Sequence, residues 1–88
     1  MSPPIPQNIN REHLFQAIIK IKREGAPPRR EPREWAVEYE GEIYPCKLLI
    51  SWANLYANGE ELDPNPDNFT TYMAQDYLID KQFNVIPF

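Results

Sequence analysis

The sequence predicts a single small α+β domain, built in the order helix, strand, strand, helix, helix, strand. Three observations predict this class. The chain has 88 residues, which is below the size at which chains divide into several domains. The stretch 35–53 changes from alternating to helical apolar spacing, and helical spacing recurs on both sides of it. Because a hairpin alone is only marginally stable, we expect a three-stranded sheet with the helices on one face, in a winged-helix-like layout.

The N-terminus precedes the predicted domain. Pro3, Pro4 and Pro6 favour extended backbone that packs against nothing. Residues 1–9 are therefore predicted to form a flexible, proline-rich arm, and residues 10–88 the single α+β domain.

The first predicted element is a helix from Arg11 to Glu24. Asn10 is a good capping residue for its first turn, and Gly25 is the residue type that commonly ends a helix. The three residues Lys20, Lys22 and Arg23 crowd its last turn, where cations interact favourably with the negative end of the helix dipole.

A hairpin follows. Trp35, Val37 and Tyr39 alternate with small or acidic residues, which is the pattern of a half-buried strand. Gly41 permits the positive φ of a tight turn, and Pro45 ends the second strand because proline cannot donate to a ladder.

The second predicted helix starts at Lys47 and ends at Asn58, with Gly59 as its C-cap. Its apolar positions share one side of the helix: Leu48, Leu49, Trp52, Ala53 and Tyr56.

A third helix is predicted after a cap at Asp67 or Asn68. Its apolar positions stand three or four apart: Phe69, Tyr72, Met73 and Tyr77. The final strand is predicted at residues 83–88, beside the hairpin. The apolar stripes of the helices and the apolar faces of the strands together predict these core residues: Leu14, Ile18, Ile21, Trp35, Val37, Leu49, Trp52, Phe69, Leu78 and Val85.

The charges divide unevenly along the chain, whose formal net charge is −4. Residues 1–36 hold seven cations and four carboxylates, a net +3, whereas residues 37–88 hold two cations and nine carboxylates, a net −7. Any anion-binding surface is therefore expected on the first helix and the loop after it.

The candidate nucleic-acid-binding residues follow from this division: Lys20, Lys22, Arg29, Arg30, Arg33, Trp35 and Lys47. The three arginines stand among prolines in a predicted exposed loop beside Trp35, which offers a stacking surface as well as charge. Lys47 begins a helix, where backbone N–H groups can receive an anion. A structural alternative is that Lys47 lays its stem over Tyr44 and keeps its ammonium in water.

Catalysis is not predicted. His13 is the only histidine, and no serine or cysteine stands at a recognisable distance from it. Cys46 is the only cysteine, and we interpret it as a small buried apolar group rather than as a reactive thiol. The carboxylates form no metal-binding pattern, and no phosphate- or dinucleotide-binding loop occurs, so neither a metal nor another cofactor is expected.

The cellular setting is predicted to be cytoplasmic. A single cysteine cannot form an internal disulfide, which suits a reducing compartment. The sequence has neither a signal-peptide pattern at its start nor an apolar run of about 20 residues, so we expect no membrane partner.

A dispersed set of residues resembles a known pattern: Gly41, Tyr44, Pro45, Lys47, Ala53, Phe69, Leu78, Phe83 and Val85. This set is similar to the small N-terminal head domain of McrA-type and McrB-like modification-dependent restriction endonucleases. The chain departs from that pattern at Cys46, where proline or a small residue is usual, and at Gln82, where glycine usually precedes the last strand.

The resemblance implies a non-catalytic module of a restriction or related DNA-processing system. Such a module would contact DNA weakly through phosphate, or would position a downstream nuclease domain, a motor domain or another subunit. The alternative is a protein–protein interaction adaptor without nucleic-acid binding, whose proline arm and sheet edge engage another chain. The acidic net charge favours the adaptor.

Overall fold

A computed structural model describes residues 5–27, 35–63 and 69–87 of the chain. Its elements are α1 (Arg11–Glu24), β1 (Trp35–Tyr39), β2 (Glu42–Pro45), α2 (Cys46–Asn58), α3 (Thr71–Asp80) and β3 (Asn84–Pro87). The strands form one antiparallel sheet in the order β2-β1-β3. The predicted α+β class, the order of the elements and the place of the last strand beside the hairpin are confirmed.

Helix α1 has the predicted caps. The Asn10 side chain accepts a hydrogen bond from the His13 backbone N–H at 3.2 Å, and His13 Nδ1 accepts one from the Asn10 N–H at 3.1 Å. At the other end, the N–H of Gly25 donates to the Ile21 carbonyl at 2.7 Å. Because the His13 ring completes this reciprocal cap, its role in the fold is structural.

The hairpin turns over two residues with positive φ, Glu40 at 51° and Gly41 at 82°. This backbone matches the right-handed twist of the flanking strands. Glu38 stabilises the turn and the sheet together, because one carboxylate oxygen accepts from the Gly41 N–H and the other from the Asn84 side-chain amide. One carboxylate of the acidic hairpin therefore stabilises both the turn and the contact with Asn84.

The sheet places Val37 opposite Tyr44 on one side and Val85 on the other. Val37 and Tyr44 are buried in the core, and Val85 packs against it half-buried. Trp35 is 37% exposed, so its predicted place in the core is wrong. It is the first residue of β1 and pairs with the exposed Pro87, where these two strands end.

The other predicted core residues are buried: Leu14, Ile18, Ile21, Val37, Leu49, Trp52, Phe69 and Leu78.

Helix α2 is the central element of the core, and its burial extends around most of its circumference. Its buried residues are Cys46, Leu48, Leu49, Ile50, Ser51, Trp52, Ala53 and Asn54. Tyr56, predicted in the stripe, is 40% exposed. The helix ends as predicted at Gly59, which has a φ of 89°.

Helix α3 starts later than predicted. Thr70 is its N-cap, and the Thr70 hydroxyl accepts from the Met73 N–H at 3.2 Å. The predicted caps, Asp67 and Asn68, lie outside the described residues.

The late start changes which side of α3 is buried. Phe69 precedes the helix and is fully buried, whereas Tyr72 is 74% exposed. The buried side consists of Ala74, Gln75 and Leu78, so the predicted stripe through Tyr72 is wrong. The physical reason is that Phe69 packs from outside the helix and does not define its apolar face.

A Schellman motif ends α3. The N–H of Phe83 donates to the Leu78 carbonyl and the N–H of Gln82 to the Ile79 carbonyl. Gln82 has a φ of 68°, in the left-handed region that favours glycine. The side chains of Phe83 and Leu78 are both buried, as this motif commonly requires.

The N-terminal segment, defined as residues 5–9, belongs to the folded core. Ile5 and Ile9 are buried, and the side-chain amides of Asn8 and Asn58 bond to each other at 2.6 and 3.0 Å. The prediction that residues 1–9 pack against nothing is therefore wrong for Ile5 and Ile9. Two isoleucines separated by polar residues and proline show no strand or helix period, so their burial left no signal in the pattern.

Candidate functional site

An open groove of about 520 Å³ lies between the N-terminal segment and α3. Its lining residues are Ile5, Gln7, Met73, Asp76, Tyr77, Asp80 and Lys81. This volume is within the range of about 300–1,000 Å³ that ligand sites occupy.

Tyr77 fixes the two walls of the groove to each other. Its hydroxyl lies 2.7 Å from the Ile9 carbonyl oxygen and 3.2 Å from that of Pro6. The hydroxyl has one proton, so the two carbonyls share it, with the shorter bond to Ile9. Since Ile5 and Ile9 are also buried, the wall formed by the N-terminal segment is held by side chains as well as by backbone.

The exposed side of α3 has an ordered arrangement of side chains. With about 100° of rotation per residue, Asp76 and Asp80 lie at its centre. Tyr72 and Ile79 lie on one flank and are 74% and 57% exposed. On the other flank are the groove residues Met73 and Tyr77.

The two carboxylates are unfavourably placed for helix stability. Asp76 and Asp80 are one turn apart, so they repel each other, and Asp80 is the last residue of α3, at the negative end of the helix dipole. Within the described ranges, no side chain forms an ion pair with either of them. Burial and the negative charge of Asp80 raise the pKa of the Tyr77 hydroxyl.

Lys81 already places a cation in the groove. Its Nζ lies 5.4 Å from the centroid of the Tyr77 ring, within the range of a cation–π interaction. The groove therefore combines an aromatic face that accepts an ammonium group with two carboxylates beside it.

Lys20, the first predicted nucleic-acid-binding residue, is engaged within the domain. Its Nζ lies 2.8 Å from a Glu24 carboxylate oxygen and 4.7 Å from the centroid of the Trp52 ring. The hydrogen bond from Lys20 lowers the pKa of the Glu24 carboxyl. Lys22, in the same turn of α1, is exposed.

Lys47 lies on another part of the molecule. Its Nζ is 4.7 Å from the centroid of the Phe69 ring. Lys47 and Trp52 are five residues apart on α2, which separates their directions by about 140°. Lys20, which contacts Trp52, and Lys47 are thus on different sides of α2. The hydroxyl of the buried Tyr44 donates to Glu42 at 2.9 Å.

The remaining predicted binding residues are Arg29, Arg30, Arg33 and Trp35. The three arginines lie outside the described residues. Trp35 is partly exposed at the start of β1, directly after that segment.

Arg11 has a role that the sequence did not reveal. Its guanidinium carbon lies 5.1 Å from the Phe15 ring centroid and 4.8 Å from that of Phe83, and it donates to the Lys81 carbonyl. Those two rings also contact each other, with centroids 5.4 Å apart. Arg11 thereby connects the start of α1 to the end of α3.

Cys46 is buried, and its burial raises the pKa of the thiol to about 11. The thiol is therefore protonated at neutral pH, which makes it a poor nucleophile. No group of three His, Cys, Asp or Glu side chains that could hold a metal occurs in the described part of the chain. None of the helices found there is long and apolar enough to span a bilayer.

Gln75 is a second notable polar group of α3, on its buried side. Its amide nitrogen is buried, with no hydrogen-bond partner among the described residues. Because Gln75 does not line the groove, it is not part of the candidate site.

The groove residues themselves had no predicted function. One signal was present, namely two aspartates four apart in the last part of a predicted helix, where cations are preferred.

No protein-family model, curated protein or solved structure matches the chain.

Proposed function

We propose that this chain is a non-catalytic protein-interaction module, an adaptor that binds a segment of another protein along α3. The observation that carries this proposal is the exposed side of α3, where Tyr72 and Ile79 adjoin a groove with apolar and polar walls. Exposed aromatic and aliphatic side chains next to a concave surface are typical of protein interfaces, and tyrosine is enriched among the residues that dominate their binding energy.

The charge of α3 argues against its insertion into a nucleic-acid groove. The helix has no lysine or arginine, and its exposed side is centred on Asp76 and Asp80. Carboxylates at this position repel phosphate. The connection from α2 to α3 covers residues 59–70, whereas a helix-turn-helix motif joins its helices by a turn of about three or four residues.

A second candidate function is the accessory module of a modification-dependent restriction or related DNA-processing system. Trp35 favours it, because this partly exposed indole directly follows the segment that contains Arg29, Arg30 and Arg33. Together with Lys22, these residues would give weak, phosphate-directed contact with DNA. The module would position a downstream nuclease or motor domain in the cytoplasm.

Selection from a random peptide display library tests the first candidate. The double substitution Tyr72→Ser and Ile79→Ser removes the exposed apolar side chains of α3. Ile19→Ser is the matched control, because Ile19 is 59% exposed on α1. We expect peptides that bind the unchanged chain and the control but lose affinity for the double variant. Selected peptides that bind all three proteins equally would contradict the proposal.

A parallel measurement tests the second candidate with a short DNA duplex at low and moderate salt. Phosphate contact predicts that binding weakens steeply as salt rises. It also predicts loss of binding when Arg29, Arg30 and Arg33 are replaced by glutamate. DNA binding that is unaffected by both the salt concentration and the arginine substitutions would contradict this candidate function.

A further inference from the structure

We infer that the segment bound by this groove is basic, with lysine or arginine side chains flanked by apolar ones. The inference rests on the proposed function of the groove as a protein-binding site, and it identifies the chemistry of the partner.

Charged and apolar side chains form separate bands on the exposed side of α3. Asp76 and Asp80 lie between the flank formed by Tyr72 and Ile79 and the flank that includes Met73. A segment lying along α3 would therefore place its charged side chains over the middle of this surface and apolar side chains over its two flanks. Such a segment matches the groove only if its charges are positive.

The spacing of the two carboxylates matches the spacing of side chains in a bound segment. Residues four apart on a helix are separated by about 6 Å along its axis. Side chains two apart on an extended strand are separated by about 6.6 Å, and those four apart on a partner helix by about 6 Å. Two cations in either arrangement can face Asp76 and Asp80 at the same time.

The position of the carboxylates also destabilises the free domain. Asp76 and Asp80 repel each other, and Asp80 faces the negative end of the helix dipole. A cation from a partner would offset both effects. This surface therefore has more to gain from a basic ligand than from a neutral one, and a phosphorylated or acidic segment would be repelled.

The ring of Tyr77 offers a further contact for a cation. It already interacts with the ammonium of Lys81 at 5.4 Å, so the aromatic face is accessible to a cation. A partner guanidinium can displace that ammonium, since arginine stacks on aromatic rings better than lysine does.

The test is a titration of the ¹⁵N-labelled 88-residue chain with two synthetic peptides, followed by ¹H–¹⁵N correlation NMR spectra. One is acetyl-Leu-Arg-Leu-Arg-Leu-amide, and the other has glutamate in place of both arginines. We expect the arginine peptide to shift the amide signals of residues 5–7 and 73–81, and the glutamate peptide to leave them unchanged. The double variant Asp76→Asn, Asp80→Asn should bind the arginine peptide about 2- to 30-fold more weakly, the range for two exposed ion pairs.

The control variant is Glu60→Gln, Glu61→Gln, which removes the same charge from exposed residues that do not line the groove. It should retain the affinity of the unchanged chain. Urea denaturation supplies a second measurement, because the aspartate variant should be as stable as the unchanged chain or more stable. Weaker binding by a protein of equal or higher stability cannot result from unfolding.

Equal affinity of the two peptides at the groove would overturn the inference and leave the groove as a protein-binding site. Equal affinity of the unchanged chain and the aspartate variant would overturn it in the same way. Shifts of residues 73–81 that depend on protein concentration alone would identify a second copy of this chain as the occupant, which also overturns it. Failure of the proposed function is a different result, namely the absence of library peptides that depend on Tyr72 and Ile79.

Discussion

Ile9→Ala tests whether the N-terminal segment is part of the folded domain. Ile9 is fully buried, and the substitution removes three carbon atoms from the core. At about 0.8 kcal/mol per buried carbon, the lost transfer free energy is about 2.4 kcal/mol, and the cavity left behind raises the cost to about 3–4 kcal/mol. A domain of this length has a total stability of about 4–13 kcal/mol, so the loss is a large fraction of it.

The assay is urea denaturation followed by tryptophan fluorescence, since Trp52 is buried and reports on the core. Ile9→Ala should lower the midpoint strongly, whereas Gln7→Ala, at an exposed position, should change the free energy of unfolding by no more than about 0.5 kcal/mol. Equal midpoints for Ile9→Ala and the unchanged chain would show that the segment does not pack on the domain. The groove would then lack one of its walls.

Three further changes probe Tyr77 in the groove, the end of α3 and the buried face of the sheet. Tyr77→Phe removes the hydroxyl that bonds to the N-terminal segment and should cost about 0.5–1.5 kcal/mol in urea denaturation; an unchanged midpoint would mean that these bonds do not hold the segment. Gln82→Gly relieves a positive φ and should raise the thermal midpoint, with a gain of up to about 1–2 kcal/mol; a lower midpoint would contradict the assigned backbone. Burial raises the pKa of Tyr44 to about 12, whereas the pKa of an unfolded tyrosine is about 10, so the stability that is fully present below about pH 10 should be lost as the pH rises toward 12. Tyr44→Phe should remove that part of the alkaline loss, and an identical pH dependence in the two proteins would refute the cause.

Much of the fold could be predicted because its signals are local. Asn10 and Gly25 bound α1 through hydrogen bonds within a few residues of each end. Gly41 marks the turn, where the backbone requires a positive φ. These features depend on the chemistry of a single turn, so periodicity and capping were sufficient to place them.

Other elements depend on distant contacts and were misplaced. Phe69 has the spacing of a helical residue with Met73, yet it packs into the core from the segment before Thr70. Ile5 and Ile9 are buried in a segment that contacts α3 through Tyr77 and α2 through Asn58, and no local sequence pattern records these distant contacts. Trp35 follows the same alternation as Val37, but it is the first residue of its strand, where alternation alone does not ensure burial.

The candidate site was the least predictable part of the molecule. Its walls come from residues 5–7 and 73–81, which the fold brings together from opposite ends of the chain. The charge division pointed instead to cations, but Lys20 contacts Trp52 and Lys47 contacts Phe69 within the domain. The sequence does not show which groups surround a cation, and in this domain those groups are aromatic rings of the core.

Intermolecular nuclear Overhauser effects show most directly where a peptide selected by display binds this chain. The methyl groups of Met73 and Ile5 line the groove and are suitable probes. We expect contacts between the bound peptide and these methyl groups, and between the peptide and the ring of Tyr77. Contacts confined to Trp35, or to residues of neither the groove nor the exposed side of α3, would contradict the proposed binding site.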